Sequence, residues 1–272
     1  MIEVENLRFT YDSVEALRGI SFRIKPGEIC GYLGPNGAGK STTVKSIVGI
    51  LQPRVGSIRI GGHDLFEDPI GAKRLIGYVP ENAAAFSLLT AREYLELVGD
   101  LYEVPATTLR SRIDQLLHNF GLGECAHRRI DTFSKGQRQK AVLAAALVHD
   151  PQVLILDEPL TGLDANAART VKELVVGMAA QQRTILFCSH VLEVVERICH
   201  RVIVLNRGEI VADAPTHDLI RMSKARNLES VFHELTMPDR DDDSARQLLA
   251  ALGPGSGQGG HGQADGKGVR PG

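Results

Sequence analysis

Hydrophobic positions along this chain change period twice. Near the start, Ile2 and Val4, Leu7 and Phe9, and then Ile20, Phe22 and Ile24 alternate with polar residues. A period of two over short runs broken by turns predicts an antiparallel sheet. Pro26-Gly27 closes that region, and residues 28–33, Glu-Ile-Cys-Gly-Tyr-Leu, read as a buried strand. Residues 42–48 can open a helix behind it, and residues 55–62 resemble a short hairpin segment. From about residue 91 to 148 the spacing becomes helical. Leu95, Val98 and Leu101 predict one apolar face; Ile113, Leu116, Leu117 and Phe120 predict another. Residues 137–148 are rich in Ala and Leu and predict a helix that stops before Pro151. Strands then return. Residues 153–156 and 184–188 are continuous apolar runs with a helix between them, as in a buried parallel sheet. Residues 202–205 and 208–211, separated at Asn206-Arg207, predict a closing hairpin.

The pattern changes once more after Thr236. Residues 239–243 are acidic, residues 245–252 can form a short helix, and residues 253–272 are Gly-rich with almost no apolar side chains. Such a stretch cannot bury enough surface to offset its ordering entropy, so a disordered tail over 237–272 is expected.

Composition narrows the function classes. The 272 residues suffice for one large domain or two small ones, and no internal repeat divides them. A net charge of -2 gives no electrostatic reason to expect nucleic acid as a partner. No apolar run approaches the roughly 18–20 residues that span a bilayer. Residues 1–5 lack the charged and apolar regions of a secretory leader. The expectation is a cytosolic chain that meets a membrane only through a partner. Cys30, Cys125, Cys188 and Cys199 are scattered without a C-x-x-C pair and read as buried structural thiols. The histidines show no metal-ligand spacing.

The chemistry begins at Gly34-Pro35-Asn36-Gly37-Ala38-Gly39-Lys40-Ser41, which fits G-x-x-x-x-G-K-[ST] between a strand and a helix. That context is what the pattern needs to count as a phosphate loop. Glycines let successive N–H groups turn toward one anion at a helix N-terminus. Lys40 is placed to reach the β- and γ-phosphates, Ser41 to hold Mg²⁺, and Thr42 to extend the cradle. The protein is therefore expected to bind a nucleoside triphosphate. The strand Leu154-Ile155-Leu156 ends in Asp157-Glu158, delivering two carboxylates to the carboxyl edge of a parallel sheet. Asp157 suits Mg²⁺, directly or through water. Glu158 can orient the attacking water or take its proton.

In this order and spacing, residues 2–236 resemble the nucleotide-binding subunit of ABC (ATP-binding cassette) transporters. The decisive match is Phe133-Ser134-Lys135-Gly136-Gln137, ahead of the helix before the Asp157-Glu158 strand. It is similar to the family's Leu-Ser-Gly-Gly-Gln signature, whose serine and backbone amides contact the γ-phosphate. The resemblance implies further roles. Tyr11 stacks on adenine; Asp164, after Leu163, sits in the loop that communicates between subunits; His190 touches the γ-phosphate. Two positions depart from the family pattern. Glu81 stands where glutamine is usual, and it can still approach Mg²⁺ or its water. Lys135 replaces the first signature glycine, and its ammonium either attracts the triphosphate or points to solvent. Both departures, with Gly77-Tyr78-Val79-Pro80-Glu81 and the ending Leu228-Glu229-Ser230-Val231-Phe232, resemble the ABC-2-type exporter ATPases.

The resemblance implies an α/β, P-loop NTPase fold of the ABC type. Its parallel-sheet core carries an antiparallel β subdomain and an inserted helical subdomain at about 82–148. It also implies ATP and Mg²⁺ as ligands, and a head-to-tail dimer in which each signature closes over the other subunit's ATP. A separate multi-span membrane permease completes the expected assembly, contacted near residues 81–89, at the cytoplasmic face of the membrane. The alternative is a soluble ABC ATPase in cofactor assembly, translation or repair. Such translation factors usually carry two cassettes in one chain and such repair ATPases long coiled-coil insertions, and neither pattern occurs here.

Overall fold

Strands and helices alternate as the periodicity requires. In the computed structural model, which describes residues 1–82, 86–222 and 226–236, β1 (Ile2–Tyr11) and β2 (Val14–Ile24) lead into β3 (Ile29–Leu33) and α1 (Lys40–Ile47). Next come β4 (Val55–Ile60), β5 (His63–Asp64), α2 (Pro69–Arg74) and β6 (Ile76–Val79). Helices α3 (Ala91–Leu101), α4 (Ala106–Asn119) and α5 (Lys135–Leu147) precede β7 (Val153–Asp157), α6 (Ala165–Ala180), β8 (Thr184–Cys188) and α7 (Leu192–Ile198). Strands β9 (Arg201–Asn206) and β10 (Glu209–Pro215) are followed by α8 (Thr216–Met222) and α9 (Leu228–Thr236). The tail expected over 237–272 lies outside the described residues.

The four-stranded sheet has the order β2-β1-β4-β5, and its pairs are antiparallel. The six-stranded sheet has the order β10-β9-β3-β8-β7-β6. Its strands from β9 to β6 run parallel, and β10 closes the edge antiparallel to β9. The continuous apolar runs of the sequence follow from this burial on both faces. Ile29, Leu33, Leu154, Leu156, Ile185 and Phe187 face a core shared with α3 to α6. Their alternates Cys30, Tyr32, Val153, Ile155, Leu186 and Cys188 face a second core, shared with α1 and the antiparallel sheet. Side chains of period two thus fill two layers from one sheet. All four cysteines are free and buried, and burial raises the thiols of Cys30, Cys188 and Cys199.

Three details differ from the sequence reading. Leu101 is 69% exposed: it is the last residue of α3, whose buried residues are Ala91, Tyr94, Leu95 and Gly99. Residues 55–60 pair chiefly with β1, and only Arg59 and Ile60 form a hairpin with β5. The turn between β9 and β10 is Arg207-Gly208, both at positive φ (49° and 81°), one residue later than expected. That geometry suits the tight turns that join twisted antiparallel strands.

Candidate active site

The phosphate loop leaves the carboxyl end of β3, between β9 and β8. Two of its glycines, Gly34 and Gly39, are required by close backbone approaches. A Cβ on Gly34 would strike the Leu205 carbonyl oxygen, and Gly39, at φ 108°, lies against the Ala16 carbonyl. Gly208 N–H donates to the Ala38 carbonyl at 2.9 Å, fastening the loop to the β9–β10 turn. Helix α1 then starts at Gly39 with no side-chain cap and no acidic residue in its first turn. Its leading N–H groups and positive dipole end therefore suit an anion. The Lys40 ammonium lies over the loop, donating to the carbonyls of Gly34 (2.5 Å) and Pro35 (3.1 Å). Beneath it, the buried Tyr32 hydroxyl donates to Thr43 Oγ1 at 3.0 Å, and Thr43 donates to the Gly39 carbonyl at 3.0 Å.

Tyr11, Ala16, Asn36, Gly37, Gly39, Lys40, Ser41 and Thr42 line one open groove of about 320 Å³. Tyr11 is 44% exposed, packs 4.8 Å from the Phe9 ring, and its hydroxyl lies 3.5 Å from Thr42 Oγ1. An aromatic face beside a phosphate cradle is the combination a purine nucleotide requires.

Strands β7, β8 and β6 bring the remaining acids and His190 to the same carboxyl edge. Asp157 ends β7 and is buried. Burial first, then the charges of Glu81 and Glu158, push its carboxyl up to about 6 against the pull of Lys40 and Lys45. Glu158 follows at φ 51°, a left-handed conformation that costs a non-glycine residue about 1 kcal/mol or more. Its N–H is held by the Cys188 carbonyl at 2.9 Å. Its carboxylate accepts from His190 Nδ1 at 2.7 Å, which assigns the proton to Nδ1. The Glu158 side chain is 14% exposed and that of His190 is 74% exposed.

A crowded set of hard oxygens whose central carboxylate resists ionisation fits a divalent cation such as Mg²⁺. Among the described residues no group of three or more His, Cys, Asp or Glu side chains closes a metal site alone. Hydroxyl, phosphate and water oxygens would have to complete the shell, as is usual for Mg²⁺.

The signature segment is built differently. Ser134 caps α5 and accepts from Gln137 N–H at 3.2 Å, while Gln137 Oε1 accepts from Ser134 N–H at 3.0 Å. Gly136 is needed because a Cβ there would lie 2.6 Å from the Gly162 carbonyl oxygen. Asp164 caps α6 through Ala167 N–H at 2.9 Å and takes a hydrogen bond from Lys140 at 2.8 Å. Lys140 first, then the cap, lower its carboxyl to about 2. Neither Ser134 nor Asp164 lines the phosphate groove. A second cavity, of about 560 Å³, is lined by Lys135, Arg138, Gln139, Glu158, Thr161 and His190, together with Glu81 and Asn82.

Several contributors were not singled out in the sequence. Tyr32, Gln139 and Lys140 tie the motifs to one another, and Gln139 Nε2 donates to the Pro159 carbonyl at 3.2 Å. The available signal was Gln139 itself, a buried polar side chain at the start of an Ala- and Leu-rich helix.

Comparison with known proteins follows this geometry. The profile described as "ABC transporter" matches residues 17–161. The "ABC transporter ATP-binding protein NatA" of Bacillus subtilis (strain 168) is 36% identical over 220 residues, covering 80% of this chain and 89% of that protein. The "Nod factor export ATP-binding protein I" of Paraburkholderia xenovorans (strain LB400) is 34% identical, covering 89% of this chain and 79% of that protein. An ATP-binding cassette solved as a dimer in a post-hydrolysis state, bound to ADP and Pi, superposes with a TM-score of 0.73 at 26% identity. That superposition covers 79% of this chain and 98% of the other.

Proposed function

Since the chain belongs to the ABC transporter family, we propose that it binds ATP between Tyr11 and the phosphate loop and hydrolyses it to drive export through a separate membrane subunit. Residues 34–42 hold the triphosphate through backbone N–H groups, with Lys40 as the cation over the β- and γ-phosphates. Ser41 and Asp157, with Glu81 through water, would hold Mg²⁺, which when bound neutralises charge on the phosphate oxygens. Glu158 accepts the proton of the attacking water, and His190 fixes the Glu158 carboxylate and faces the γ-phosphate. Ser134, Gly136, Gln137 and Asp164 serve the second subunit's ATP across a dimer interface.

The observation that carries this reading is the shared carboxyl edge. The uncapped start of α1 after β3 and the hydrogen-bonded Glu158–His190 couple after β7 and β8 stand on neighbouring strands. One set of groups binds a polyanion and the other handles a proton, which is what phosphoanhydride hydrolysis needs. ABC ATP-binding subunits dimerise and pair with membrane subunits; here a homodimer is proposed, with a multi-span permease as the second partner. The nucleotide-binding domain is assigned to residues 1–236, with its helical subdomain at about 82–148. No helix among the described residues is long and apolar enough to cross a membrane, and attachment to the cytoplasmic face through the permease is part of the proposal.

Replacement of Glu158 by glutamine tests the assignment. ATP binding should persist while turnover falls, and ATP-bound dimers should accumulate on size-exclusion chromatography. Wild-type turnover in that variant would remove Glu158 from the mechanism.

A further inference from the structure

The second cavity has a composition that the reading above leaves unused. Lys135 and Arg138 are three residues apart on α5 and so share a face. Two of their neighbours are committed, since Glu158 accepts from His190 and Gln139 donates to Pro159, and Glu81 also lines the cavity. Lys135 and Arg138 themselves have no carboxylate within ion-pair distance among the described residues. A half-buried guanidinium without an acceptor, beside an ammonium, is suited to a small oxyanion, which the guanidinium fork can grip with two parallel N–H donors.

The Lys135 stem lies against its own chain. A Cβ on Gly162 would lie 3.2, 3.3 and 3.5 Å from Lys135 Cγ, Cδ and Cε. The stem is therefore laid across the turn that follows Glu158 in the same chain. Lys135 lines the cavity together with that chain's own Glu158 and His190. The nucleotide groove and this cavity have no lining residue in common, and the Glu158–His190 couple stands on the cavity's wall.

We propose that the cavity is a subsite for inorganic phosphate, the product of hydrolysis, held by Lys135 and Arg138 of the chain that carries Glu158. Phosphate split from the nucleotide moves past Glu158 and His190 into this cavity and leaves without retracing the nucleotide groove. Of the two roles open to Lys135, this is attraction to phosphate, exerted within its own subunit. The proposal rests on the ATPase reading.

The test uses the full chain loaded with ADP and titrated with inorganic phosphate, followed by phosphorus NMR or calorimetry. Wild type should bind phosphate, and Arg138→Gln should weaken that binding on the order of tenfold, the effect of losing a charge-assisted hydrogen bond. Arg138→Lys, which keeps the charge, should retain most of it, and ADP affinity should be the same in all three proteins. Unchanged phosphate affinity in Arg138→Gln with ADP bound would overturn the subsite alone. So would a variant that loses ATP-driven dimerisation but keeps phosphate binding, because the cations would then face the partner's triphosphate. Failure of the wild-type chain to bind ADP would instead overturn the ATPase reading and the subsite with it.

Discussion

Helix α1 begins at Gly39 with no side-chain cap and no acid in its first turn, whereas α5 begins at Ser134 inside a complete capping box. Both starts are assigned to phosphate, yet only one needs it. The N–H groups of α1 open onto a groove beside Gly34 and Gly39, where a Cβ would strike backbone, and a bound anion is their natural acceptor. Those of α5 are partly satisfied by Ser134 and Gln137, and Asp164 of the neighbouring turn is likewise taken by Lys140 and Ala167. The first half of the site is thus completed by its ligand, and the second is complete as structure. Damage to the first should appear as lost chemistry, and damage to the second as lost stability unless a charge is introduced.

The largest effect tests the first half. Lys40→Ala removes a cation that serves both bound and transition states, and ATP turnover should fall by at least about 10³-fold in a phosphate-release assay. Turnover at the wild-type rate would take the phosphate-loop assignment away. Glu158→Gln should follow, lowering turnover by roughly 10²–10⁴ with nucleotide affinity kept, as measured by equilibrium binding.

Ser134 sharpens the contrast from the other side. Ser134→Ala breaks the capping box and should cost about 1 kcal/mol. In a domain of this size that is roughly 2–4 °C in Tm. Ser134→Asp keeps an N-cap acceptor, so Tm should stay near wild type, but it sets a carboxylate where the second subunit's triphosphate is proposed to bind. ATP-dependent dimerisation should then fail in a stable protein. A Ser134→Asp variant that dimerises normally with ATP would confine α5 to a structural role.

These two halves were not equally legible. The phosphate loop and the Asp157-Glu158 strand end could be placed from sequence because each follows a short apolar run that reads as a buried strand, whereas His190 was reached only through the family resemblance. A parallel sheet delivers such strand ends to one edge. The committed state of Ser134 and Asp164 was less accessible. The pairing of Lys140 with Asp164 joins residues 24 apart and depends on how α5 meets the turn before α6. The lie of Lys135 across Gly162 has the same origin. Strand β6 and helices α2, α7 and α8 carry too few periodic positions to announce themselves, with only 4 to 7 residues each.

The smallest effect concerns how α5 is anchored at its other end. His149, just beyond α5, stacks on Tyr102 with ring centroids 3.7 Å apart, and its Nε2–H donates to the Ile76 carbonyl at 3.0 Å. Among the described residues its buried Nδ1 has no partner, so a second proton would have no acceptor there. Burial, the largest cause, lowers the imidazole to about 4, with Arg112 adding to the effect and the Ile76 carbonyl and Asp150 opposing it. The unfolded chain takes up this proton near the ordinary histidine value of about 6.5, and the folded chain only near 4. Between those values the unfolded state binds more protons, so stability falls as pH is lowered from about 6.5 toward 4. His149→Gln keeps a donor for Ile76 without titrating. Its Tm should lie below wild type at pH 7, and the gap should narrow by pH 5, because the variant escapes the penalty of the buried proton. A gap that stays constant between those pH values would mean that the folded chain carries no buried-proton penalty at His149.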